Sequence, residues 1–219
     1  MWLSLAGLSA VLFDVDGTLI DSNAAHADSW AQALSEHGVA RDAAHIRPLV
    51  GMGSDKLLPM VGLEEGSSRA RAVVQRKKEL FTQRLPRLQP TRGARELVSY
   101  LRQQRKEIVV ATSAGDDEMD ALLQQAGVRE LMPRRTSSDD ADRSKPDPDI
   151  VLAALHRTSS SPEQTAMIGD TPYDLEAASR AGVRAIALRC GGHWSDANLG
   201  SAVGIFDDPA GLLAYWQHG

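Results

Sequence analysis

Asp14 and Asp16 stand two residues apart in the run Asp14-Val-Asp16-Gly-Thr-Leu-Ile-Asp21-Ser22, directly after the apolar stretch Ala10-Val-Leu-Phe13. At the end of a strand both side chains can face one site, and Gly17 lets the chain turn sharply behind them. Two carboxylates this close cannot both stay charged unless a cation joins them or one takes a proton. Hard oxygen donors of this kind suit magnesium and phosphate chemistry. The alternative, a surface Asp-x-Asp-Gly turn, would leave a charge cluster without a partner at the end of a buried strand. Three further clusters carry matching chemistry. Thr112-Ser113 follows Val109-Val-Ala and offers hydroxyls and backbone N–H groups to a phosphate oxygen; taken alone, such a pair is more commonly a cap or turn. Ser144-Lys145-Pro146-Asp147-Pro148-Asp149 places a lysine in a loop stiffened by two prolines. A lysine fixed in this way supplies a point charge to phosphate, whereas one in an unconstrained polar loop is solvated. Gly169-Asp170-Thr-Pro-Tyr-Asp174 ends a strand with one aspartate and opens a helix with another. Asp174 there complements the helix dipole, and Asp170 is the natural third anchor for a metal.

These clusters need a scaffold that brings distant segments to one edge. Short apolar runs at Ala10–Phe13, Glu107–Thr112, Thr165–Asp170 and Val183–Leu188 read as buried parallel strands. Weaker runs near Leu131-Met132 and Gly204–Phe206 would add two more. Helical patterns separate them over Arg92–Gln104, Glu118–Gln125, Asp149–His156 and Asp174–Ala181. Alternation of this kind predicts an α/β fold: a doubly wound parallel sheet, Rossmann-like, with helices on both faces. Asp14, Thr112 and Asp170 each end a strand, and ligands of open α/β sheets bind outside the carboxyl ends of the strands. One interval breaks the rhythm. The 91 residues between Asp16 and Ile108 far exceed the dozen or so that a crossover requires. Asn23–Gly38, Ser54–Val61 and Ser67–Leu85 read as helices, so the excess is expected to form a small inserted helical cap domain. The predicted boundaries are 1–22 and 89–219 for the catalytic core and 23–88 for the cap, with the prolines of Leu85–Pro90 in the linker.

Composition narrows the partners. Twenty-four Lys and Arg against 29 Asp and Glu give a formal charge of −5, which argues against nucleic acid and against anionic lipid. No run approaches the ~20 apolar residues of a membrane helix. The N-terminal MWLSLAGLSAVLFDVDG lacks a positive region and leads straight into two aspartates, so its apolar part reads as a strand rather than a signal peptide. Cys190 is the single cysteine, which excludes an internal disulfide and fits a reducing cytoplasm; it reads as a small core hydrophobe. The expected partner is a small phosphorylated metabolite, with the chain a monomer or homodimer.

The four clusters, in this order, resemble the haloacid dehalogenase-like phosphatase superfamily, in the helical-cap branch of phosphoglycolate phosphatase and β-phosphoglucomutase. The resemblance covers nearly the whole chain, and four ordered motifs are far more specific than one. It implies that Asp14 attacks phosphorus to form an aspartyl-phosphate, and that Asp16 protonates the leaving oxygen and then activates water. It implies a Mg2+ ion held by Asp14, Asp170 and the backbone carbonyl of Asp16, with Asp174 orienting the metal shell. Thr112 and Lys145 would grip the phosphate, with Ser113 beside them. His26 falls where β-phosphoglucomutase-like members carry a hinge histidine, and Trp30 lies one turn further along the same helix. The implied activity is hydrolysis of a sugar-phosphate or phosphoglycolate-type monoester. The alternatives are a phosphosugar mutase and, more remotely, a 2-haloacid dehalogenase or a binding module. Where mutases carry an arginine for a distal phosphate, this chain has Val50-Gly-Met-Gly-Ser-Asp55, with Arg47 nearby. The basic run from Arg69 to Lys78 reads as a solvated helix face or, alternatively, as a steering surface for an anionic substrate.

Overall fold

A computed structural model describes residues 4–218. In chain order the elements are β1 (Ala10–Phe13), α1 (Asn23–Glu36), α2 (Ala43–Ile46), α3 (Ser54–Met60), α4 (Ser68–Arg84), α5 (Ala94–Gln103), β2 (Glu107–Ala111), α6 (Asp116–Gln125), β3 (Arg134–Thr136), α7 (Asp149–His156), β4 (Thr165–Gly169), α8 (Pro172–Arg180), β5 (Arg184–Leu188), β6 (Gly204–Phe206) and α9 (Pro209–His218). The strands form one sheet in the order β3-β2-β1-β4-β5-β6, and every pairing is parallel.

Side chains alternate across this sheet with the period of two that a strand imposes. Val11 and Phe13 of β1, Ile108 and Val110 of β2, and Ala166 and Ile168 of β4 enter one apolar layer, completed by Leu97 and Leu101 of α5, Leu122 of α6 and Leu212 of α9. Leu12, Val109 and Met167 enter the opposite layer with Ile150 and Ala154 of α7 and Leu175 and Ala178 of α8. With both faces covered, β1 and the interiors of β2, β4 and β5 are apolar, which is why they read as continuous runs in the sequence, whereas the edge strand β3 is Arg134-Arg135-Thr136.

Helices α1–α4 pack around an apolar cluster of their own, with Trp30, Leu34, Ile46, Leu57, Val73 and Leu80 at its centre. The two chain segments joining this unit to the sheet run side by side. Asp21 N donates to Gln89 O at 2.9 Å, and Thr91 Oγ1 donates to Thr18 O at 2.6 Å.

Two features differ from the sequence reading. The strand expected near Leu131-Met132 lies at Arg134–Thr136, after a 3-10 turn over Arg129–Leu131; Met132 is buried as a core side chain, so its hydrophobicity reports packing rather than pairing. Helices α2 and α9 were not anticipated: α2 is a single short turn, and α9 begins at Pro209 behind a polar loop. Among the described residues no helix is long and apolar enough to cross a membrane.

Candidate active site

The strand order reverses between β1 and β4, and the residues just beyond both strands are Asp14 and Asp170. Such a switch point opens a crevice at the carboxyl ends of the strands. Asp14 N donates to Ile168 O at 2.9 Å, so the backbone that carries the nucleophile candidate is locked to β4. Lys145 arrives from the loop before α7 and is fully buried. Its Nζ lies 2.6 Å from Asp14 Oδ1 and 2.7 Å from Asp174 Oδ1. The other oxygen of Asp174 accepts from Thr171 N at 3.1 Å and Thr171 Oγ1 at 2.7 Å, and Thr171 Oγ1 in turn caps the N-terminus of α8. Asp170 is held by Asn23 Nδ2 at 2.7 Å and Thr18 Oγ1 at 3.4 Å. Glycines make room for it: a Cβ on Gly191 would sit 1.7 Å from Asp170 Oδ2, and one on Gly17 would sit 2.3 Å from the same atom.

Two of three clustered, buried carboxylates, Asp14 and Asp174, thus pair with one buried ammonium, and Asp170 lies beside them. Burial, the charge of Asp174 and that of Asp16 push the Asp14 carboxyl up to about 8, against the opposing pull of Lys145. Burial, then the charges of Asp14 and Asp174, raise Asp170 well above the carboxylate range. Burial alone would lower the Lys145 ammonium, but Asp14 and Asp174 raise it, so it stays charged. With all three carboxylates ionised, the cluster would carry more negative charge than one lysine offsets. Asp14, Asp170 and Asp174 each offer an oxygen, all within 4.8 Å of one another. An all-oxygen, anionic donor set of this spacing fits a hard divalent cation.

Asp16 lies outside that triad. Its Oδ1 is 2.8 Å from His26 Nε2 and also accepts from Ser22 Oγ. Burial pushes the Asp16 carboxyl up, but His26 and Ser22 outweigh it and hold the group below the ordinary carboxylate value. The His26 ring stacks on Phe81 of α4 at 3.9 Å, and Phe81 bridges towards Lys77, whose Nζ lies 4.8 Å from the Phe81 centroid. Thr112 is buried just past β2. Its Oγ1 accepts from Ala114 N at 3.1 Å, which leaves its own hydrogen available to a phosphate oxygen. Ser113 Oγ donates instead to Gly51 O in the loop before α3, at 3.3 Å.

A cavity of about 650 Å³ opens above these groups, between the sheet edge and α1–α4. Asp14, Asp16, Thr112 and Ser113 line it from below, with His26 and Lys77 above. Of the basic run on α4, Arg76 pairs with Glu36 and Glu79, and Arg69 and Arg71 donate to carbonyls of His37 and Gly66. Only Lys77 and Lys78 reach the cavity, and Lys77 is paired with Glu118 at 3.0 Å. Arg47 donates to Gly191 O at 2.8 Å. Sequence reasoning missed Asn23, Thr18, Gly191 and the Lys77–Glu118 pair. Asn23 reads as an ordinary helix start, and nothing local ties it to Asp170, 147 residues away.

The family model described as haloacid dehalogenase-like hydrolase matches residues 11–188. The validoxylamine A 7'-phosphate phosphatase of Streptomyces hygroscopicus subsp. limoneus is 30% identical over 81% of this chain and 84% of its own. A phosphoglycolate phosphatase of Pseudomonas putida is 28% identical over 93% of this chain and 78% of its own. A hydrolase crystal structure from Pseudomonas syringae superposes with a TM-score of 0.90 at 25% identity, covering 96% of this chain and 98% of that one.

Proposed function

The chain is a haloacid dehalogenase-like hydrolase of the phosphoric monoester class, and on that premise we propose that it cleaves a small sugar-phosphate or phosphoglycolate-type monoester through an aspartyl-phosphate on Asp14. The observation that carries this reading is the buried Lys145 bridging Asp14 and Asp174 beside Asp170. The names of the phosphatase relatives support the substrate class.

Lys145 and the Thr112 hydroxyl bind the phosphoryl oxygens and hold phosphorus in line with Asp14. A carboxylate oxygen of Asp14 forms a bond to phosphorus as the ester P–O bond breaks. Asp16, ionised while His26 donates to it, takes up a proton from solvent once substrate displaces the ring, and passes it to the departing oxygen. Water then attacks phosphorus and yields its proton to the Asp16 carboxylate, the bond to Asp14 breaks, and inorganic phosphate leaves. Asp14 and Asp170, with the backbone carbonyl of Asp16, would hold Mg2+ beside Asp174, and the ion would supply charge that neutralises the phosphoryl group. Helices α1–α4 act as the cap, residues 23–88, that covers the reaction. His26 belongs to this cap and fixes Asp16 while no substrate is present.

A phosphosugar mutase would need a free cation over a second phosphate. Arg47 donates to Gly191 O and Lys77 pairs with Glu118, which leaves Lys78 as the cavity lysine for that role; the phosphatase relatives favour hydrolysis. The deciding experiment is a screen of small phosphoesters with Mg2+ and with EDTA. Magnesium-dependent phosphate release from a few members supports the proposal; interconversion of sugar phosphates without release would replace it with the mutase.

A further inference from the structure

Residues 51–56, the turn before α3 and its first residues, lie against the segments that carry Thr112 and Lys145. Their tightest engagement is with Ser144, the residue before the lysine. Gly53 N donates to Ser144 Oγ at 3.0 Å. Ser144 N donates to Asp55 Oδ2 at 3.3 Å, and the Ser144 hydroxyl donates to Asp55 Oδ1. A hydroxyl has one hydrogen and two lone pairs, so both the donor and the acceptor role of Ser144 Oγ are taken by this segment. The approach is close enough to require glycine: a Cβ on Gly53 would lie 2.6 Å from Ser144 Cβ and 2.7 Å from Asp55 Oδ1. Just beyond the lysine, Lys56 Nζ pairs with Asp147 Oδ2 at 2.7 Å. The Lys145 backbone is therefore clamped on both sides by residues of the helical insertion.

We infer that Asp55 is a positioning residue for Lys145, acting through Ser144, so that the phosphate grip is complete only when the insertion is docked on the sheet. The inference rests on the phosphate-binding role proposed for Lys145. A lysine side chain is a flexible four-carbon stem, and where its ammonium reaches is set by where its backbone is held. The ion pairs with Asp14 and Asp174 do not fix that reach, because a bound phosphate changes the charge balance around Nζ. Asp55 takes two hydrogen bonds with one ionised carboxylate, the stronger kind. It belongs to the helical insertion, whereas the lysine it steadies belongs to the chain that follows β3. Closure and phosphate binding are thereby tied together without any contact between Asp55 and substrate.

The test compares Asp55→Ala, Asp55→Asn, Ser144→Ala and the double variant Asp55→Ala/Ser144→Ala. Tyr173→Phe serves as the control, since it removes a different contact between insertion and core, from Tyr173 Oη to Pro48 O. Binding of inorganic phosphate in the presence of Mg2+ is measured by calorimetry, alongside kcat and KM on the best substrate of the panel. Loss of charge-assisted bonds should weaken phosphate binding by about tenfold in Asp55→Ala and lower kcat with it. Asp55→Asn, which keeps an acceptor oxygen, should recover part of the loss. The double variant should be no worse than the worse single one, and Tyr173→Phe should bind phosphate normally. Unchanged phosphate binding in Asp55→Ala, additive losses in the double variant, or an equal loss in Tyr173→Phe would each overturn the inference. Failure of the unaltered protein to bind phosphate at all would overturn the reading of Lys145 itself, and the inference with it.

Discussion

The Nε2 atom of His26 lies 2.8 Å from Oδ1 of Asp16, across the junction between α1 and the turn that follows β1. An ionised carboxylate only accepts hydrogen bonds, so the ring nitrogen is the donor and the bond favours the charged form of Asp16. Burial works the other way. His26→Ala removes the donor and leaves burial unopposed, so the Asp16 pKa should rise. Carboxyl-carbon NMR titration of the two proteins reads this directly. The linked stability follows the same sign. A depressed folded pKa contributes stability above the ordinary carboxylate pKa, and that contribution is lost as pH falls through the folded value. The stability of His26→Ala should therefore fall less on acidification from pH 5 downwards, about the region where ordinary carboxylates titrate.

Asp14→Asn is nearly isosteric, removes the attacking oxygen and should abolish turnover while the fold persists. Stability should move in the less obvious direction. The folded Asp14 carboxyl is raised from 3.8 to about 8, so in metal-free protein the folded state holds a proton that the unfolded state has released. The resulting penalty builds as pH rises through that interval and is complete above it. Asparagine carries no such penalty, and Lys145 retains Asp174 as a partner. In EDTA, Asp14→Asn should melt at or above the temperature of the unaltered protein at pH 8, with the difference shrinking towards pH 4. A lower melting temperature across that whole range would mean that the lysine pair outweighs the burial of the charge.

Magnesium should raise the melting temperature of the unaltered protein, since a ligand that binds only the folded state stabilises it by mass action. Asp170→Asn should lose most of this increase. Asp16→Asn should keep it, because its side chain faces His26 and Ser22 rather than the carboxylate triad. Equal losses in the two variants would contradict the division between them. Asp174→Asn separates a direct ligand from an orienting one: as a direct ligand it should cost as much as Asp170→Asn.

The parts of the site that were legible in the sequence are those at strand ends. Asp14, Thr112 and Asp170 follow apolar runs whose continuity is forced by burial on both sheet faces, so strand and chemistry are readable together. Asp174 was legible as a helix opener, but its ion pair with Lys145 was not, because that pair depends on how the loop before α7 brings Lys145 to the start of α8. Gly191 shows what is lost altogether. It belongs to no motif, and its necessity comes from Asp170 Oδ2, which occupies the space of its missing Cβ. The insertion was legible as excess length between two strands. Its grip on Ser144 was not, since Asp55 and Ser144 are 89 residues apart and neither stands out locally.

Lys77 and Glu118 face each other across the cavity wall, Nζ to Oε2 at 3.0 Å, with side-chain exposures of 9% and 19%. The lysine also sits over the Phe81 ring and 5.9 Å from the Trp30 centroid. Its charge is compensated by one paired carboxylate, by two aromatic faces and, at longer range, by Asp16. Removing one member of a buried pair leaves the other charge unsolvated, whereas replacing both by apolar groups is often neutral. Glu118→Ala should therefore destabilise the protein by about 3 kcal/mol, the low end for such pairs because water still reaches the glutamate. The double variant Lys77→Met/Glu118→Leu should recover most of that loss. Denaturant unfolding of the unaltered protein, Lys77→Met, Glu118→Leu and the double variant forms a double-mutant cycle that isolates the pair. If Glu118→Ala costs less than ~1 kcal/mol, the pair behaves as an exposed surface bridge, and Lys77 is free to meet the substrate.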